Sequence, residues 1–71
     1  MKIRYDPSVD ILYIEIKDVE IVNSDELQDG IIADYDDAGN IVGLEIMDAT
    51  ETVSDPDRIE YRVLSREPVA A

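Results

Sequence analysis

A chain of 71 residues makes one small domain, and with neither cysteine nor histidine it has no disulfide and no Cys/His zinc site to hold it together. Its 18 acidic against 6 basic residues give a net charge of -12, which repels phosphate backbones and anionic lipid surfaces and so argues against direct nucleic-acid or membrane binding. The apolar residues are mostly Ile and Val, with no Phe or Trp, which suits sheets better than a helical bundle. Self-association is the staple that remains. No apolar run approaches the roughly 20 residues that span a bilayer. The opening MKIRYDPSVD lacks the apolar core of a signal peptide, so a cytoplasmic protein is expected.

In chain order, Lys2 to Tyr5 reads as a short strand. Asp6-Pro7-Ser8 follows with Asp at the first and Pro at the second position of a type I turn. Ile11 to Ile16 (ILYIEI) is apolar at nearly every residue, the pattern of a strand covered on both faces. A single sheet layer cannot cover two faces, so the C-terminal segment, a curled sheet or another subunit must lie over the second. Lys17-Asp18 allows only a tight turn. Val19 to Val22 is expected to begin a third strand that fades into the polar Asn23-Ser24-Asp25-Glu26, and Gln28-Asp29-Gly30 turns the chain again. A helix from Ser24 would be cut short by Gly30.

The clearest signal is GIIADYDDAGNIVGLEIMDA, from Gly30 to Ala49. Ile31, Ala33 and Tyr35 alternate with Ile32, Asp34 and Asp36, and Val42, Leu44 and Ile46 alternate with Gly43, Glu45 and Met47. The intervening Asp37-Ala38-Gly39-Asn40 tolerates positive φ, so a hairpin is predicted. A four-residue loop sets Tyr35 opposite Val42, Ala33 opposite Leu44 and Ile31 opposite Ile46. A three-residue loop with a bulge at Gly39 would put Asp34 opposite Val42 and exchange the faces, so the four-residue register is favoured. Gly43 inside a strand marks a bulge or a close backbone approach, with Asp34 opposite it. Tyr13, Tyr35 and Leu44 are expected in the core.

Thr50 to Asp57 is a loop by composition. From Ile59 to Leu64, Ile59, Tyr61 and Val63 alternate with Glu60 and Arg62, as in an edge strand with a charged outer face. The alternative is a helix capped by Ser54 with Asp57 three residues on. The favoured picture is a mainly β domain over 1–65, a small antiparallel meander of five or six short strands with a C-terminal helical turn as the variant. Residues 66–71 are expected to be a frayed tail.

Tyr5-Asp6-Pro7 with Asp10 and Leu12-Tyr13-Ile14, then Gly30, Asp34-Tyr35-Asp36, Gly39-Asn40-Ile41-Val42-Gly43, Glu45-Ile46 and Asp48-Ala49, resembles the small prokaryotic domain-of-unknown-function family DUF2283. The likeness covers about the first fifty residues, in order. It implies a small, mainly β, cytoplasmic protein and brings no activity and no catalytic residues with it.

Without His or Cys the usual nucleophilic triads and the commonest transition-metal ligands are excluded, and Gly30, Gly39 and Gly43 are not spaced as a phosphate loop. No catalytic residue and no cofactor is nominated, and the chain is not expected to be an enzyme. One acidic pattern merits weighing. Counted from Asp34, Asp at one and three (Asp34, Asp36), Gly at six (Gly39), Ile at eight (Ile41) and Glu at twelve (Glu45) reproduce much of an EF-hand loop. Ala38 at position five and the strand-like flanks count against it. Asp34, Asp36 and Glu45 are thus weak metal candidates, and a turn rich in Asp, Gly and Asn is the plainer reading. The leading functional expectation is a protein-interaction or self-association module, a homodimer or the partner of a basic protein. The alternative is a cation- or small-ligand-binding protein using the acidic 34–45 hairpin.

Overall fold

The computed structural model describes residues 1–66. Five strands, β1 (Lys2–Asp6), β2 (Ile11–Glu15), β3 (Asn23–Gln28), β4 (Ile31–Tyr35) and β5 (Ile41–Ile46), form one open sheet, followed by a single helical turn, α1 (Ala49–Thr52). All pairings are antiparallel and the order is β1-β2-β5-β4-β3. The mainly β antiparallel expectation holds, with the helical turn placed at 49–52. The strand order leaves that of a simple meander at one connection. Residues 16–22 carry the chain from the inner strand β2 to the far edge, so β2 to β5 make a Greek key. The crossing is fixed by backbone bonds along the end of the hairpin: Ile16 N and Lys17 N donate to Val42 O at 2.8 and 3.1 Å, and Val22 N donates to Tyr35 O at 2.9 Å.

Val19 to Val22 therefore lies in this connection, and the third strand is the polar Asn23–Gln28 instead. An edge strand exposed along its whole length needs backbone partners on one side and no apolar face, so its composition hides it. Ile59 to Leu64 forms neither the strand nor the helix considered for it. It runs beside the edge strand β1, where Ile59 and Tyr61 line a depression with Met1 and Ile3, without joining the sheet. Of the tail expected at 66–71, all but Arg66 lies outside the described residues.

The hairpin register is the favoured one over its body: Ile31 faces Ile46, Ala33 faces Leu44, and Asp34 faces Gly43. Near the loop the pairing is that of the three-residue alternative: Tyr35 faces Ile41 rather than Val42, and Asp36 N donates to Asn40 O at 3.0 Å around Asp37-Ala38-Gly39. Val42 is bulged out to restore the favoured register beyond. That bulge aims the Val42 carbonyl at the crossing connection, the demand that overrides the ideal ladder. The loop itself closes by Asp36 Oδ1 accepting from Ala38 N and Asn40 N at 3.0 and 2.9 Å, with Gly39 at φ 81°.

The registers place two apolar rows across one face: Tyr5, Leu12, Ile46 and Ile31, and beside them Ile3, Ile14, Leu44 and Ala33. Among the described residues the buried hydrophobics are Leu12, Ala33, Val42 and Ala49, and no large side chain is fully buried. Tyr13, Tyr35 and Leu44, expected in the core, are only partly covered. The reason is architectural. Among the described residues, one sheet with one helical turn supplies no second layer of helix or strand to close the apolar face.

Candidate functional site

The opposite face carries a polar stripe that crosses four of the five strands and has its cation on the fifth. Arg4 on β1 lies over the Tyr13 ring on β2, its guanidinium carbon 5.1 Å from the ring centroid. The Tyr13 phenol reaches across β5 and donates to Asp34 Oδ2 on β4 at 2.8 Å, and Ser24 on β3 donates to Asp34 Oδ1 at 2.6 Å. The phenol passes directly over Gly43: a Cβ built there would stand 2.2 Å from the Tyr13 hydroxyl oxygen and 3.2 Å from Asp34 Oδ2. The close approach predicted at Gly43 is therefore made by a side chain from the neighbouring strand. Partial burial, with the hydrogen bond to the Asp34 carboxylate, pushes the Tyr13 phenol up to about 12. A neutral phenol held against a carboxylate is a structural clasp here. With its pKa raised, it stays protonated at neutral pH.

A second cluster closes the sheet at the β1–β2 turn. Asp6 Oδ1 accepts from Ser8 N at 3.0 Å and from Ser8 Oγ at 2.6 Å, forming the turn that Asp6-Pro7 predicts. At its end Asp10 takes a left-handed φ of 55°. Its carboxylate accepts the Tyr5 hydroxyl at 2.7 Å and the Thr50 hydroxyl at 2.6 Å, with Thr50 N at 3.1 Å. Asp48, the N-cap of α1, makes no side-chain capping bond, so Asp10 caps the turn from forty residues away. Ala49 N also donates to Asp10 O at 2.9 Å. Hydrogen bonds from Thr50 and Tyr5 hold the Asp10 carboxyl below its ordinary range, and the same bond pushes the Tyr5 phenol up to about 12. Sequence reading gave Asp10 no role, because its partners lie on elements with no local spacing to it.

The three acidic candidates stand apart in their bonding. Both Asp34 oxygens accept hydroxyl donors, from Tyr13 and Ser24. Asp36 accepts backbone amides of its own loop and, at 3.4 Å, Asn40 Nδ2; the Asn40 backbone amide and then its side chain lead in holding its carboxyl below the ordinary range. Glu45 lies on β5 between Tyr13 and Ile32. Among the described residues no group of three Asp, Glu, His or Cys is arranged to hold a metal ion. The EF-hand-like spacing serves a strand, a turn and a strand.

What the molecule presents outward is surface. Exposed aliphatics include Ile3, Ile16, Val19, Ile21, Val22, Leu27, Ile59 and Leu64. The two edges differ in charge: β1 offers Lys2 and Arg4, whereas β3 offers Asp25 and Glu26 with Asp29 just beyond. No helix among the described residues is long and apolar enough to cross a membrane.

No curated protein and no solved structure matches this chain. A family model does, over residues 2–49, which span β1 through the first residue of α1. Those residues contain the Greek key, the Tyr13–Asp34 clasp over Gly43 and Asp10 with its Tyr5 partner, Thr50 lying one residue beyond, and on this match the chain belongs to the family described as Protein of unknown function (DUF2283).

Proposed function

We propose that the chain is a protein-interaction module that self-associates, with a second copy covering the apolar face of its sheet, and that it works in the cytoplasm without catalysing a reaction. One observation carries this reading. Two apolar rows run across the sheet, yet no large side chain among the described residues is fully buried. Covering Ile3, Ile14, Leu44 and Ile46 removes apolar area from water at about 25 cal/mol per Å². Face-to-face packing of two sheets about 10 Å apart is a standard solution for such a surface. The charges do not stand in the way at close range, because the polar stripe and most carboxylates lie on the other face or in turns.

The test is light scattering on the eluting protein, wild type beside Ile3→Glu. Ile3 sits on the apolar face of an edge strand and is already 40% exposed, so the substitution leaves the monomer's small core alone. The expected wild-type mass is twice the chain's 8.0 kDa, falling to the monomer in the variant. Added salt should favour the dimer, since it screens the repulsion between two chains of charge -12. A wild type that stays monomeric at all concentrations and salts contradicts the reading.

A further inference from the structure

We propose that residues 58–64 of one copy add as a sixth strand to the free edge of β3 in a second copy, giving an arm-exchanged dimer. This rests on the self-association proposed above and names the edge and the segment that complete it.

The arm has the pattern of a strand and forms none in its own chain. Ile59, Tyr61 and Val63 alternate with Glu60 and Arg62, and the three apolar side chains are 52%, 85% and 48% exposed. On the same chain the arm sits beside β1, where Ile59 and Tyr61 line a shallow depression with Met1 and Ile3. Its own β3 edge lies four strand spacings away, about 19 Å. The arm cannot serve as a strand there without leaving the body. A second copy brings the edge to it.

Charge selects β3 over β1. Two of the chain's six basic residues, Arg58 and Arg62, fall in this short segment with one acid, Glu60, and Arg66 follows two residues beyond, in a chain of net charge -12. The β3 edge is exposed along its length and carries Asp25 and Glu26, whereas β1 carries Lys2 and Arg4 with Asp6 at its end and is the poorer match for the arm's arginines. Parity agrees. If Ile59, Tyr61 and Val63 continue the apolar face, Arg58 and Arg62 must fall on the face that carries Glu26, whichever way the arm runs. Symmetry then delivers it. A two-fold axis parallel to the strands, between two sheets packed on their apolar faces, sets β1 of one copy over β3 of the other. Area completes the case. Five strands of about five residues have a flat footprint of about 400 Å², short of the roughly 800 Å² that each partner contributes to a standard interface. A paired arm supplies ladder hydrogen bonds and further apolar contact.

The experiment uses two full-length variants, Arg58→Glu with Arg62→Glu, and Glu26→Arg with Asp29→Arg. Each puts like charges at both arm–edge contacts of its own homodimer, whereas a mixed dimer has complementary charges at both. With one variant isotope-labelled, native mass spectrometry reads the species. The expected result is homodimers weakened about tenfold or more, and mixed dimers well above the statistical one-to-two-to-one ratio. Wild-type dimers with statistical mixing of equally stable variants would overturn the arm and leave self-association standing. A monomeric wild type would overturn both. Should a charge variant lose its sheet circular dichroism, Tyr61→Pro decides instead, since it removes a ladder donor at a side chain already in solvent. An unweakened Tyr61→Pro dimer would overturn the proposal, as would a monomer whose β3 amides become protected only on adding an arginine-rich peptide.

Discussion

Gly43 concentrates the residue-scale logic of this sheet. Its missing side chain is the space through which the Tyr13 phenol reaches Asp34. Gly43→Ala is therefore expected to cost about 1–3 kcal/mol through the displaced phenol, measured by chemical denaturation. In a Tyr13→Phe background the hydroxyl conflict is gone, and the same substitution should cost clearly less. Equal costs in both backgrounds would remove the clasp from the account. The phenols give a spectroscopic reading as well. Tyr5 and Tyr13 both have pKa values raised to about 12, above the ordinary 10.0, so their bonds contribute stability below pH 10 that fades as the pH rises through 12. Absorbance titration should show late-ionising phenols, one fewer in Tyr13→Phe. A glycine in mid-strand opposite Asp34 is legible from the sequence. Which side chain fills the space is not, because Tyr13 lies thirty residues away and its apolar strand reads as core.

At the scale of elements, Asp10 ties the first hairpin to α1. Its carboxyl lies below the ordinary range because Thr50 and Tyr5 donate to its ionised form. The sign is that of a depressed acid: the bonds contribute fully above the ordinary carboxylate range and are lost as the pH falls through the depressed value. The protection factor of the Thr50 amide, which divides out the slower intrinsic exchange in acid, should thus fall as Asp10 protonates and in Asp10→Ala at neutral pH, while β4 and β5 amides keep theirs. Uniform loss of protection would show that the pin has no local role. The central hairpin was legible through alternation and turn residues, which are local signals. The Val42 bulge was not, since its cause is the crossing connection at Ile16 and Lys17. Polar β3 was hidden for a related reason: a strand paired on one side and wetted on both faces needs no apolar period.

At the largest scale, the governing fact is that the described residues form one sheet with a single helical turn and no second layer of helix or strand. ILYIEI in β2 asked for cover on both faces. The structure meets that on one side with the polar clasp and leaves Ile14 half-covered on the other. Ile59 to Leu64 reads as a strand because its alternation is that of a strand, yet it lies beside the β1 edge without pairing to it. On the proposal above, a second copy resolves both mismatches between the pattern and the single chain. The most direct test mixes isotope-labelled and unlabelled wild-type protein and records nuclear Overhauser contacts between copies. Contacts from the methyl groups of Ile14, Leu44 and Ile46 to the partner are expected. Their absence at millimolar concentration, with a diffusion rate that fits an 8.0 kDa chain, would contradict the account.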